Sequence, residues 1–212
     1  MYNRSNNTFI AQAGFTLVEL LIVIGLLGAI ALIVISAINP IEQSNRARDT
    51  RYKADAGQLI SAIDRYFVTT SAFPWMTVTP ATYDSADDAF PFITATDANV
   101  GLCTAVGCAG ANDGVLILNN ELKTEFRQRA FVKGVVSVPN QIWVGKAIGS
   151  SSSTYACFVP LSKSIRDKAC TDGQVYTIAG STRTQVPATD PTCAGNHANW
   201  STSPYQYICL PE

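Results

Sequence analysis

Residues 15–38 read FTLVELLIVIGLLGAIALIVISAI, and this stretch decides how the chain is organised. Across these 24 residues Glu19 is the one ionisable side chain, with Thr16 and Ser36 the remaining polar ones. At about 1.5 Å per residue the run makes roughly 36 Å of helix, enough to cross a hydrocarbon core of about 30 Å. A core helix of a soluble protein is the competing reading. So long a run with no polar stripe argues against it, and a membrane span is expected.

On either side the composition changes. Residues 1–14, MYNRSNNTFIAQAG, are short and polar. Everything after Asn39 has an ordinary soluble composition, so the slightly positive mean hydropathy of the 212-residue chain reflects one segment. A net charge of −1 argues against bulk electrostatic attraction to nucleic acid or acidic lipid. A secretory signal places its cleavage site after the apolar run, but here the run leads into Asn39-Pro40 and a charged segment. If a piece is removed, it is the polar leader in front, and the apolar helix stays.

All six cysteines, Cys103, Cys108, Cys157, Cys170, Cys193 and Cys209, lie beyond the span. An even count on one side of a membrane anchor predicts cystines in an oxidising space. Cys193 and His197 are spaced like metal ligands, and Cys103 and Cys108 form C-x4-C. His197 is the single histidine, however, and no C-x2-C pair exists, so no metal or other cofactor is expected. Charge points the other way: Arg4 alone precedes the span, whereas Arg46, Arg48, Arg51 and Lys53 follow it. Positive-inside counting would put that second segment in the cytoplasm. The six cysteines outweigh it.

After Pro40, Tyr52, Ala56, Leu59, Ile63 and Tyr66 step by 4, 3, 4 and 3, with Ile60 and Phe67 on the same face. That spacing predicts an amphipathic helix ending near Ser71, before Phe73-Pro74. Asn39-Pro40 predicts a kink or locally melted turn between two halves of a rod roughly 80 Å long. Residues 76–114 read as a long loop region with a short helix near 84–90. Strand-like runs follow at 115–118, 135–138, 142–148, 155–160, 175–179 and 205–210, and residues 121–133 read as helical. The expected class is α+β: a long helix whose 52–67 face carries an antiparallel sheet. The expected division is a leader at 1–14, a transmembrane helix at 15–38, an amphipathic helix at 39–71 and a disulfide-bonded head at 72–212.

The residues Gly14-Phe15-Thr16-Leu17-Val18-Glu19-Leu20-Leu21 carry the function. One acid five residues into an apolar run costs about 2.5–3.5 kcal/mol at membrane depth, so it calls for a partner. The stretch resembles the type IV prepilin family, whose processing site is Gly-Phe-Thr-Leu-x-Glu. A weaker likeness continues through Ala47-Arg48-Asp49-x-Arg51, Asp55, Leu59, Ala62, Tyr66 and Phe73-Pro74, where the family often has Tyr-Pro. The resemblance implies cleavage between Gly14 and Phe15 by a membrane-embedded prepilin peptidase, then methylation of the new Phe15 amine. It also implies that Glu19 of one subunit neutralises that amine on a neighbour and sets axial register, and that residues 15–38 polymerise. Within one chain the same pair could also meet, and the sequence does not separate the two. The implied partners are other copies of the chain, minor pilins, the peptidase/methylase and an inner-membrane assembly platform. Nucleic acid would enter only at the level of the filament. The implied location is the cytoplasmic membrane before assembly, head outside, and the cell-surface filament after it.

Other chemistry is poorly supported. A hydrolase would have to use His197, and no G-x-S-x-G, S-x-x-K, H-E-x-x-H or Walker A stretch is present. Asp84, Asp87 and Asp88 lack the D-x-D-x-D-G spacing of a calcium loop and read as a solvated loop. Gly25 and Gly28 allow close helix approach but are not spaced G-x-x-x-G. Asn199-Trp200-Ser201 is a sequon, a motif short enough to recur by chance. Proximity alone favours Cys103–Cys108, Cys157–Cys170 and Cys193–Cys209, out of 15 pairings. The last would close a loop in which His197, Trp200, Tyr205 and Tyr207 either face a partner or pack the head. Three functions are open: a non-enzymatic pilus subunit for adhesion, motility or DNA uptake; a type II secretion pseudopilin; a membrane-tethered binding or enzymatic head that does not polymerise.

Overall fold

The structure is a computed structural model that describes residues 14–37, 39–77, 83–104, 108, 112–133, 137–194 and 200–212. The chain divides into two units, one ending at Pro40 and one beginning at Ile41. In the first, helix α1 spans Leu17–Ala37, and every side chain from Leu17 to Ile35 is exposed. An apolar helix with no buried face has no stable place in water. It is long and apolar enough to cross a membrane.

Helix α2 spans Pro40–Thr70 and, from Ile41 on, opens the second unit. Proline suits the first helical position, where its missing N–H would be unpaired anyway, and Asn39 before it is not helical. Tyr52, Ala56, Leu59, Ala62, Ile63 and Tyr66 are all buried, as their spacing predicts. The helix stops where Ser71 enters the left-handed region (φ 57°), its N–H returning to Phe67 O at 2.7 Å. Phe73, Trp75 and Phe90 then stack ring on ring behind Phe67, with centroids 4.2–4.6 Å apart.

Among the described residues the remaining elements are strands β1 (Phe90–Thr94), β2 (Ile142–Lys146), β3 (Thr154–Phe158), β4 (Tyr176–Ala179), β5 (Thr182–Gln185) and β6 (Ile208–Leu210) and helices α3 (Val115–Leu118), α4 (Ala130–Lys133), α5 (Lys163–Asp172) and α6 (Pro191–Ala194). Antiparallel pairing gives a sheet in the order β1-β2-β3-β6 and a separate β4-β5 hairpin. Ile142, Val144, Ala156 and Phe158 point from the sheet into one core with Leu59 and Ile63 of α2. Cys157, Cys209 and Phe92 point the other way, into a second core with Val159, Val175, Trp200 and Tyr207. Phe90 and Phe92 would share a face in a regular strand. A break in register between Phe90 and Ile93 sends them to opposite cores. Gly145 makes room for this: a Cβ there would lie 2.6 Å from the Phe92 ring.

The α+β class holds, with several corrections inside it. Residues 115–118 form a helical turn, not a strand. Four apolar residues carry no usable period, and Gly114 lies so close to Gly101 that a Cβ would meet its carbonyl oxygen at 2.2 Å. Residues 121–133 form a 3-10 segment (Thr124–Gln128) and the single turn α4 in place of a continuous helix. No helix forms at 84–90. The Asp88 carboxylate accepts the N–H groups of Asp84 and Ser85 in a turn, and β1 starts at Phe90. That strand holds Pro91, tolerated at a sheet edge. The 135–138 expectation falls partly on residues outside those described, and a 3-10 turn starts at Val138.

Candidate functional site

Gly14, Phe15 and Thr16 are not helical, and α1 begins at Leu17. Thr16 Oγ1 accepts the Glu19 N–H at 3.2 Å. Glu19 Oε2 accepts the Thr16 N–H at 2.9 Å and the Thr16 hydroxyl at 2.8 Å. This reciprocal arrangement is a capping box, which satisfies two of the donors that a helix start leaves unpaired. Phe15, 84% exposed, sits just outside it. The geometry joins Glu19 to Thr16 and leaves Gly14 and Phe15 outside the helix. The Thr-x-x-Glu spacing was a signal in the sequence for Thr16.

Three of the basic residues after the span, Arg46, Arg48 and Lys53, are tied into the head. Arg48 Nη1 meets Asp49 Oδ1 at 2.8 Å and donates to Val159 O at 3.1 Å. Its Nη2 donates to Pro139 O, and the guanidinium lies 4.0 Å from the Tyr52 ring centroid. Arg46 donates to Ser164 Oγ at 2.8 Å, and Lys53 pairs with Glu212. These cations hold α2 to the strands and helix beside it. That gives them a structural reason to be there, whatever their effect on positive-inside counting.

Two carboxylates of α2, seven residues apart, clamp the start of α5. Asp49 Oδ2 accepts the N–H groups of Leu161 (2.9 Å) and Ser162 (2.7 Å). Glu42 accepts the Ser162 hydroxyl (2.6 Å) and the N–H groups of Lys163 (3.0 Å) and Ser164 (3.1 Å). Burial opposes the charge on Glu42, but these hydrogen bonds overcome it and bring the pKa down to about 2.

The six cysteines form three disulfides, and two of the pairs favoured by proximity are overturned. Cys103 pairs with Cys108 as expected, but Cys157 joins Cys209 and Cys170 joins Cys193. Cys157 and Cys209 are opposed across β3 and β6, a tertiary neighbourhood that chain separation does not reveal. The aromatic residues near the C-terminus are also settled. Trp200 (0% exposed) and Tyr207 (5%) are core residues, and Tyr205 is half-buried beside them. His197 and Asn199 lie outside the described residues.

The acidic loop has an unexpected partner. Lys146, 0% exposed, ends β2 with its ammonium donating to Gly149 O (2.6 Å), Ala86 O (2.8 Å), Ala147 O (3.2 Å) and Asp88 O (3.4 Å). Asp87 Oδ1 accepts the Ser150 N–H at 2.6 Å. Among the described residues no group of three or more His, Cys, Asp or Glu side chains is placed to hold a metal ion. A cavity of about 270 Å³ lies between α2, α5 and β6, where Phe158, Ile165 and Leu210 line it together with charged side chains such as Lys53, Lys168 and Glu212.

Residues 10–35 match the family model described as the prokaryotic N-terminal methylation motif, the signature of type IV pilins and pseudopilins. The match is confined to that N-terminal stretch, and together with the apolar helix α1 it fits a membrane-anchored precursor. Neither the curated proteins nor the solved structures contain a significant match to the chain.

Proposed function

We propose that this chain is a structural subunit of a type IV pilus-like surface filament, cut between Gly14 and Phe15 and assembled through α1. The observation that carries the proposal is the unbroken Gly14-to-Leu21 motif opening a helix that is apolar on every face. Cleavage leaves an ammonium on Phe15, four residues before Glu19. In a filament the helices exchange lipid for one another, and an unpaired ammonium in that bundle costs about 3–5 kcal/mol. Glu19 of a neighbouring subunit removes that penalty at one axial offset only, as a buried polar residue sets register in a coiled coil. The leucine, isoleucine and valine side chains of α1 supply the non-directional contact. The leader is then residues 1–14, the polymerisation helix 15–38, and residues 39–212 the amphipathic helix and head. Adhesion, motility or DNA uptake are the tasks such a fibre serves.

N-terminal mass analysis of the native protein tests the processing step. The expected mature chain starts at Phe15 with a methylated amine; a chain still carrying its first fourteen residues would overturn it. Deleting the gene separates the fibres. Loss of surface filaments is expected, whereas loss of exported enzymes with filaments intact would make the chain a secretion pseudopilin.

A further inference from the structure

The capping box ends the helix two residues beyond the bond that the proposed peptidase would cut. We propose that Thr16 is a positioning residue for that cleavage: its side chain stops α1 at Leu17 and keeps Gly14–Phe15 out of the helix. The inference rests on the processing reading above and concerns the conformation that this reading requires.

Proteolysis here is hydrolysis of the Gly14–Phe15 peptide. Water adds its oxygen to the Gly14 carbonyl carbon, the C–N bond breaks, and the Phe15 nitrogen leaves as an amine with the proton. A peptide inside a helix offers its carbonyl to a hydrogen bond four residues on, and side chains crowd it, so the attacked carbon must lie outside the helix. Pressure to extend the helix backward is strong at this place. In an apolar medium each backbone polar group must find a partner, and helix is the nearest way to supply one. Ala11-Gln12-Ala13 are also good helix formers.

Thr16 relieves that pressure locally. Its hydroxyl oxygen takes the Glu19 N–H at 3.2 Å, and the Glu19 carboxylate takes its N–H at 2.9 Å. Both donors are satisfied without another helical turn. Glu19 contributes, but the hydroxyl alone still caps residue 19 when the carboxylate is removed. Thr16→Val deletes that acceptor, keeps the side-chain shape, and makes the segment more apolar, so it does not weaken membrane insertion.

The test uses full-length precursor in detergent with purified prepilin peptidase, following conversion to the mature chain. Thr16→Val should lower kcat/KM about fivefold, the population ratio expected from losing a typical N-cap. Thr16→Ser, which restores the hydroxyl, should cleave at close to the wild-type rate. Backbone chemical shifts of the Val variant in micelles should show helix reaching Gly14 and Phe15. Wild-type kinetics for Thr16→Val, or equal slowing of the Ser and Val variants, would overturn the role. Wild-type precursor left uncut would instead overturn the processing reading, and the Thr16 role with it.

Discussion

Cys157 and Cys209 are Cα partners across β3 and β6, 4.0 Å apart, and their disulfide ties the last strand of the chain into the sheet. The bond closes a far longer loop than Cys103–Cys108, with a separation of 52 residues against 5. In the chain-entropy model, removing it by Cys157→Ala with Cys209→Ala costs about 4 kcal/mol, against about 2 kcal/mol for the short bridge. Urea unfolding of the two double variants checks the order. Peptide mapping under non-reducing conditions should recover the 157–209 and 170–193 links.

Glu42 makes the start of α5 sensitive to acid. Its pKa in the fold, about 2, lies below the ordinary value of 4.5, so its stabilisation is complete above about pH 4.5. It fades as pH falls toward 2. Glu42→Gln keeps the shape but loses the charge, and should destabilise the head by about 1–2 kcal/mol at pH 7. The gap between variant and wild type should shrink steadily below pH 4.5 in unfolding measurements.

Lys146 holds the 84–88 turn and the β2–β3 turn together through one ammonium. Lys146→Met fills similar space but leaves its carbonyl partners without a donor, which predicts a loss of about 3 kcal/mol. Hydrogen exchange should speed up first at Asp88 and Ser152, whose N–H groups close those two turns.

Glu19→Ala separates insertion from assembly. The variant should still enter the membrane and lose its leader, because Thr16 continues to cap the helix. Filament yield should drop by more than about tenfold, since each buried Phe15 ammonium would then lack its counter-charge. Quantifying sheared filaments against membrane-bound mature subunit reads this directly.

The helical third of the protein was legible before any coordinates. An all-apolar run, a helix-breaking Asn39-Pro40 and a 3.6-residue period at 52–66 are local patterns, and local patterns determine helices. Thr16 is legible too, through the Thr-x-x-Glu spacing of a capping box. The head was less readable. Strand β1 contains a proline, β5 is wholly polar as Thr-Arg-Thr-Gln, and α5 depends on Glu42 and Asp49, which reach it from more than 110 residues away. The pairing of Cys157 with Cys209 and the burial of Lys146 belong to the same class. Each depends on which strands and turns become neighbours, and that is decided by burying both faces of one sheet, an energy that no short window of residues contains. The sequence alone determined that the chain has an apolar anchor helix and a processing-type motif; only the tertiary structure decided how the head is held together.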